Sequence, residues 1–183
     1  RTAVGFAKEI LASLSEAHEK GIIHRDLKPD NIYLARVEGR EAPVVKVLDF
    51  GIAKVIQGDR QIDQLETQAG TVFGTPRYMS PEQAQGKKLD LRSDLYAVGV
   101  LLYQMLAGHA PFIDDDAVVV MAKHIKEKPQ ALHTAAPTRP IPGSLERAVL
   151  KALEKDPTGR YSTSDEFTKR LDSVLPDVDV ATR

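Results

Sequence analysis

One stretch decides the fold of this chain: His24-Arg25-Asp26-Leu27-Lys28-Pro29-Asp30-Asn31. It is followed, eighteen residues after Asn31, by the shorter string Asp49-Phe50-Gly51. Finding His, Arg, Asp, Lys and Asn at these offsets by chance has a frequency of about 10⁻⁷ per position, taking each residue type at about one in twenty. The order and spacing of the two strings therefore indicate one site built from both.

The residue types in these strings suit chemistry on a phosphate group. Asp26 can orient a hydroxyl and accept its proton. Lys28 lies two residues further on, so both side chains can face the same space, where the ammonium group would neutralise phosphoryl charge. Asn31 and Asp49 supply the oxygen ligands that Mg²⁺ prefers. Taken alone, Asp26, Lys28 and Asp30 would suggest an ordinary solvated turn, and the other matching residues argue against that interpretation.

The two strings resemble the catalytic loop, H-R-D-L-K-P-x-N, and the metal-binding D-F-G turn of protein kinases. The resemblance implies that ATP and Mg²⁺ (or Mn²⁺) bind here and that Asn31 and Asp49 hold the metal. Its catalytic residues would be Asp26, Lys28, Asn31 and Asp49. Its nucleotide-binding residues would be Lys28, Asp30, Asn31, Tyr33 and Asp49. For Tyr33, a place in the protein core is as well supported as a place under the adenine ring.

The same resemblance implies roles for the two residues before Asp26. His24 would be structural, packing below the loop and helping to hold D-F-G. No second His or Cys lies at metal-ligand spacing from it. Arg25 would pair with a phosphate on the activation segment, with Thr71 and Thr67 as the candidate phosphorylated residues. Thr71 is the first candidate, and Thr67, which lies in the loop predicted over residues 59–70, could equally be an ordinary polar residue.

A second match is the run Gly74-Thr75-Pro76-Arg77-Tyr78-Met79-Ser80-Pro81-Glu82. It resembles the end of a kinase activation segment, with Ser-Pro-Glu where most kinases have Ala-Pro-Glu. The resemblance places Thr75 in the substrate platform near Asp26. Local chemistry also predicts a helix start here, because Ser80 and Gln83 form a capping-box pattern.

Two more residues are implied to be structural. Glu82 would pair with Arg160 in the string Asp156-Pro157-Thr158-Gly159-Arg160. Asp94 opens a stretch that is apolar on nearly all sides up to Gly108, which predicts a buried helix. The resemblance makes Asp94 the residue that holds the catalytic-loop backbone, and a simple interaction with the helix dipole is compatible with that role.

The remaining pattern predicts a mainly α fold, a kinase C-lobe-like helical bundle with short β-hairpins at the catalytic cleft. Apolar residues recur every three or four positions from Ala3 to Lys20, and Gly21 ends this helix. Short strands are expected at Ile32–Leu34 and Val44–Leu48, joined by a turn around Gly39. Alternation would place Ile32 and Leu34 on one face and Tyr33 on the other.

Further helices and one loop complete the prediction. Helices are expected at Ala117–Lys126, Leu145–Lys155 and Asp165–Val174, the last with a capping box of Thr163 and Glu166. Residues 131–143, with three prolines, predict a loop. Residues 1–175 are predicted to form one partial kinase domain, and residues 176–183 a tail or the start of a linker.

Composition limits the kinds of partner and the cellular compartment that we expect for this chain. The 183 residues carry a net charge of −1, which does not suggest nucleic acid as a partner. The absence of cysteine excludes disulfides and cysteine metal sites, and it suits a reducing compartment. We expect a cytoplasmic location, or the cytoplasmic part of a membrane-anchored kinase.

The resemblance covers only the C-terminal lobe of a kinase. The G-x-G-x-x-G loop, the V-A-I-K lysine and the helix glutamate of the N-terminal lobe do not occur in these residues. Asp-Leu-Lys-Pro-Asp-Asn and Ser-Pro-Glu-Gln-Ala resemble Ser/Thr kinases of the bacterial type.

The expected partners are a protein substrate with Ser or Thr, the missing N-lobe and a second kinase copy, and the fragment alone is expected to be inactive. Alternatives are a non-catalytic scaffold module and a metal-dependent hydrolase using His24, Asp26 and Asp49.

Overall fold

The computed structural model describes residues 3–39, 43–50 and 76–181 of the chain. Within them, the α-helices in chain order are α1 (Ala3–Glu19), α2 (Pro81–Ala84), α3 (Arg92–Ala107), α4 (Ala117–Lys126), α5 (Leu132–Ala135), α6 (Gly143–Ala152) and α7 (Ser164–Ala181). The strands are β1 (Ile32–Ala35) and β2 (Val44–Val47), and single 3₁₀ turns lie at Pro29–Asn31, Pro76–Tyr78 and Pro157–Gly159.

Helix α3 is the centre of the hydrophobic core. Every residue from Ser93 to Tyr103 is buried, as the continuous apolar sequence predicts. The helix ends as predicted at Gly108, which takes the left-handed conformation (φ 90°) and donates its N–H to the Gln104 carbonyl at 2.8 Å. Helices α1 and α6 both pack against α3, so the residues at its N-terminus have a fixed position relative to the rest of the core.

Helix α1 confirms the predicted amphipathic pattern. Its buried residues recur at helical spacing: Val4, Ala7, Ile10, Leu11, Leu14 and Ala17. This face lies against α3 and α7. Gly21 (φ 72°) closes the helix, and the chain then leads directly into the stretch that begins at His24.

The two strands form an antiparallel pair, in which Ile32 is opposite Val47 and Leu34 is opposite Val45. The predicted separation of faces is not reflected in burial. Tyr33 is 59% exposed, and Leu34 is also 45% exposed although alternation places it on the other face. The reason is that α1 packs against β2 and buries Val45, whereas no helix in the described part of the chain packs to the same extent against β1.

Several predicted boundaries differ from the structure. The predicted loop over residues 131–143 contains the single turn α5, because Leu132 is fully buried and anchors it. Helix α6 ends at Ala152, before the predicted Lys155, and α7 continues past Val174 to Ala181. In the part of the chain that the structure describes, no helix is long and apolar enough to span a bilayer.

Candidate active site

The catalytic-loop string folds back on itself after Asp26. Lys28 is extended (φ −154°, ψ 166°), as the residue before a proline prefers, and Pro29 starts the 3₁₀ turn. This turn brings Asn31 back to Asp26, where Asn31 Nδ2 donates to the main-chain carbonyl of Asp26 at 2.8 Å. The bond closes the loop and leaves the Asp26 side chain on its outside.

The carboxylate of Asp26 is accessible. Its side chain is 57% exposed, and its Oδ2 accepts a hydrogen bond from Lys28 Nζ at 3.0 Å. An exposed carboxylate beside an ammonium group can receive a proton from an approaching hydroxyl while a nearby anion is neutralised.

Asn31 and Asp49 are brought together by the strand pair. The N–H of Leu48 donates to the Asn31 carbonyl at 2.8 Å, so Asp49 directly follows a residue bonded to Asn31. Asp49 is exposed and has a left-handed backbone (φ 55°). A carboxylate and an amide oxygen fit Mg²⁺, which takes few protein ligands and completes its shell with phosphate and water. Among the described residues, no group of three or more His, Cys, Asp or Glu could hold a metal ion.

His24 lies beneath this loop, completely buried. Its Nε2 donates to the Leu48 carbonyl at 2.8 Å, and its Nδ1 accepts the N–H of Asp26 at 3.3 Å. Its ring lies 4.9 Å from that of Phe50. Main-chain atoms occupy both ring nitrogens, so neither is available as a metal ligand. This argues against the metal-dependent hydrolase alternative, which would use His24.

Asp94 holds the loop from the start of α3. It is 1% exposed. Its Oδ2 accepts the N–H of His24 at 2.8 Å, and its Oδ1 accepts the N–H of Arg25 at 2.9 Å. Arg25 has a left-handed backbone (φ 68°), which non-glycine residues adopt only when their surroundings hold them there.

Glu82 and Arg160 form a buried two-point ion pair. Both guanidinium–carboxylate distances are 2.8 Å, and Ser93 Oγ donates to the same carboxylate at 2.7 Å. Burial by itself raises the pKa of Glu82, but the hydrogen bonds from Arg160 and Ser93 outweigh it and hold the pKa below its usual value. The pair fixes the end of the segment that leads out of Pro76.

The family described as "Protein kinase domain" matches residues 1–171. The chain belongs to the protein kinase family. A similar curated protein is serine/threonine-protein kinase pkn3 of Myxococcus xanthus, 47% identical over 171 residues, which make up 93% of this chain and 31% of that protein. Serine/threonine-protein kinase PknB of Mycobacterium leprae (strain TN) is 40% identical over 169 residues, 92% of this chain and 25% of that protein. The chain thus spans less than a third of the length of these relatives.

Solved structures agree with the family at the level of the fold. The crystal structure of the Mycobacterium tuberculosis PknI kinase domain superposes with a TM-score of 0.66 and 23% identity, covering 93% of this chain and 54% of that one. The chain therefore has a protein kinase fold, mainly helical with a two-stranded sheet in its described part.

Some of the predicted site residues lie outside the part of the chain that the structure describes. Thr67, Thr71 and Thr75 lie outside the described residues. Asp30 and Tyr33 are both exposed at the edge of the loop and hairpin, and Arg25 is half-buried beside Asp26.

The kinase segment from Pro76 to Gln83 has further anchors, and sequence reasoning missed most of them. The predicted capping box is confirmed: Gln83 N–H donates to Ser80 Oγ at 3.3 Å, and Ser80 N–H donates to Gln83 Oε1 at 3.0 Å. Tyr78 donates to Gln104 at 2.7 Å. These contacts hold the segment against α3.

His124 on α4 is a missed anchor of the same segment. Burial first, and the Lys155 ammonium group second, lower the pKa of His124 to about 4. The neutral ring can therefore accept from the Tyr96 hydroxyl at 2.9 Å and donate to the Arg77 carbonyl at 3.1 Å. Its position four residues after buried Val120, on the inner face of α4, was the available signal.

His18 is a second missed residue. Its Nε2 lies 2.8 Å from Asp94 Oδ2, and its Nδ1 lies 3.2 Å from Ser164 Oγ. It follows buried Leu14 by four residues, which places it on the inner face of α1. Through these bonds, α1 and α7 both support the carboxylate that holds the kinase catalytic loop.

Proposed function

We propose that this chain is the larger, helical lobe of a bacterial-type Ser/Thr protein kinase, which transfers the γ-phosphoryl group of ATP to Ser or Thr hydroxyls of proteins. The observation that carries the proposal is the closed loop from His24 to Asn31, which presents the accessible carboxylate of Asp26 beside Lys28. The names of the curated relatives agree with it.

In the proposed mechanism, Asp26 orients the substrate hydroxyl and takes its proton as the new P–O bond to the substrate forms, while the P–O bond between the γ- and β-phosphates breaks and ADP leaves. Lys28 offsets the negative charge of the transferred group. Asn31 and Asp49 would hold Mg²⁺, and Asp30 and Tyr33 would contribute to nucleotide binding. When bound, Mg-ATP supplies the phosphoryl group and neutralises its charge. His24, Asp94, Glu82 and Arg160 keep the loop and the adjoining segment in place.

The proposal includes a smaller kinase lobe that covers the hairpin side of this chain. Support comes from the exposed apolar residues on or next to the strands: Tyr33, Leu34, Val37 and Leu48. Apolar surface concentrated in one place usually has a partner. The complete kinase would act on protein substrates, not nucleic acid, in the cytoplasm or on the cytoplasmic side of a membrane, and a second kinase copy is a further partner in this proposal.

Mutation of the two aspartates tests the function. In the full-length protein, Asp26→Asn should lower the rate of phosphate transfer by about three orders of magnitude or more and leave ATP affinity nearly unchanged. Asp49→Asn should instead raise the Mg²⁺ concentration needed for activity. Asp165→Asn, at an exposed aspartate of α7, is the matched control and should act like the parent. Near-parental turnover in Asp26→Asn would disprove the assignment of Asp26, whereas a parent without phosphate transfer would favour the scaffold alternative.

We also propose control by phosphorylation. A phosphate on Thr71 or Thr67 would bring a charge of about −1.5 to −2, which Arg25 can pair with, ordering the substrate platform at Thr75. Mass spectrometry of the active full-length protein should find phosphate on one of the two threonines. The double variant Thr67→Ala, Thr71→Ala should abolish time-dependent activation, and activation that proceeds as in the parent would rule out both sites.

A further inference from the structure

Gln83 connects the catalytic loop to the segment that leads out of Pro76. Its Nε2 donates to the main-chain carbonyl of Arg25 at 2.6 Å, and its Oε1 accepts the N–H of Ser80 at 3.0 Å. One side-chain amide therefore joins α2 to the residue immediately before Asp26, across 58 positions of sequence.

Arg25 is the residue of this loop that most needs such support. Its φ of 68° lies in the left-handed region, which is disfavoured for residues with a Cβ. Asp94 Oδ1 takes its N–H, and Gln83 Nε2 binds its carbonyl. Both main-chain polar groups of Arg25 are thus held by side chains of other elements, and the direction of Asp26 depends on the backbone they hold.

The residues that flank Gln83 in α2 are held firmly in place. Glu82, its neighbour, is locked by Arg160 and Ser93, and Ser80 is completely buried. A displacement of α2 would therefore move the Arg25 carbonyl with it, and the position of the segment would be transmitted to the catalytic loop without any intervening residue.

We propose that Gln83 is a positioning residue for phosphoryl transfer, which sets the orientation of Asp26 through the Arg25 carbonyl and makes it depend on the placement of α2. This inference rests on the proposed kinase function. Transfer requires the hydroxyl, the carboxylate and the phosphoryl group to be aligned, so a small rotation of the loop slows the chemical step more than it weakens nucleotide binding.

The two tasks of Gln83, helix capping and contact with Arg25, can be separated by substitution. Gln83→Glu keeps an acceptor for the Ser80 N–H, as in the usual capping box, but replaces the donor to the Arg25 carbonyl with an acceptor. Gln83→Met removes both contacts without adding charge. Ser80→Ala removes the hydroxyl that caps the Gln83 N–H and leaves the Gln83 side chain its partners.

The experiment measures kcat, the KM for ATP and amide hydrogen exchange over residues 24–27 in the full-length protein. Gln83→Glu and Gln83→Met should lower kcat about tenfold or more, keep the KM for ATP within about twofold, and speed exchange in this stretch. Ser80→Ala should lower the melting temperature and keep kcat within about threefold of the parent.

Three kinetic outcomes would overturn the inference: kcat unchanged in Gln83→Glu, an equal loss of kcat in Ser80→Ala, or a loss in Gln83→Glu with Gln83→Met at the parental rate. The last would mean that added charge, and not the lost donor, slows the reaction. A parent without phosphate transfer overturns the proposed function. Unchanged exchange over residues 24–27 in both Gln83 variants overturns the inference whatever the parent's activity.

Discussion

Hydrogen bonds from a few side chains determine the shape of the loop around Asp26. Asp94 takes the N–H groups of His24 and Arg25, Gln83 binds the Arg25 carbonyl, and Asn31 binds the Asp26 carbonyl. Each bond gives a side-chain partner to a main-chain group of the bent loop. Substitutions at these positions should therefore act on the chemical step through geometry.

His124 shows that a buried histidine can be structural because it is kept neutral. Its ring is enclosed by Tyr96, Phe112 and the main chain of Arg77, and the Lys155 ammonium group also lowers its pKa to about 4. Neutrality is what allows one nitrogen to accept and the other to donate.

This neutrality predicts a pH dependence of stability. The pKa of His124 is about 4 in the folded state, against 6.5 for an ordinary histidine. Between these values the unfolded state binds more protons, so the free energy of unfolding should fall as the pH is lowered from 6.5 to 4, by on the order of 3 kcal/mol. Urea unfolding at intervals of pH should show that His124→Gln reduces this slope.

Tyr103→Phe is the control for this prediction. It removes a hydroxyl of α3 that donates to the Gln130 carbonyl at 2.9 Å, and it should lower stability equally at each pH. Parallel pH curves for the parent and His124→Gln would contradict the assigned neutrality of His124.

At the scale of elements, the close contact of α3 with α6 keeps Asp94 in place. Gly99 allows the approach: a Cβ at this position would lie 2.9 Å from the Cβ of Ala152 and 3.2 Å from a Leu153 methyl group. Helix α3 therefore has a small residue where the two helices touch, and the position of its first turn follows from that packing.

Gly99→Ala should consequently lower the free energy of unfolding by about 1–3 kcal/mol, because overpacking forces the helices apart. Adding Ala152→Gly should recover part of the loss. Gly143→Ala is the matched control, since its nearest neighbour is a flexible Arg147 side chain at 3.5 Å, and it should be neutral or slightly stabilising. Chemical denaturation measures all four proteins. A stable Gly99→Ala would show that α3 and α6 adjust without strain.

At the scale of the whole molecule, the helical core and the hairpin differ in how well their apolar side chains are covered. The core around α3 is closed, whereas the hairpin presents Tyr33, Leu34 and Leu48 to solvent. Under the proposed function, the nucleotide cleft has two walls, and the described residues would form one of them.

The isolated chain should therefore fold, bind Mg-ATP weakly and transfer no measurable phosphate. Nucleotide titration followed by fluorescence, together with a transfer assay, should show the difference from the full-length protein. The isolated chain should also associate at high concentration through its hairpin side, and Leu34→Lys should reduce this association. Robust phosphate transfer by the purified chain, free of other kinases, would contradict the proposed division into two lobes.

The sequence by itself determined the family and the main helices, and it predicted the residues of the proposed reacting centre. It could do so because these signals are local: the catalytic string is contiguous, the apolar periods of α1 and α3 lie within single helices, and the capping box spans Ser80 to Gln83. Local patterns need no knowledge of distant parts of the chain.

Only the tertiary structure showed that Gln83, His18 and His124 also support that centre, in addition to Asp94 and His24, which the resemblance had implied. The partners of Gln83, His18 and His124 lie 58, 76 and 47 residues away, and a polar residue on a buried face gives no indication of which distant group it meets. Likewise, alternation predicted two faces for β1, but what covers each face is a matter of packing, and Leu34 is left exposed. Burial and hydrogen-bond partners are properties of the assembled core, because they depend on atoms that the sequence places far apart.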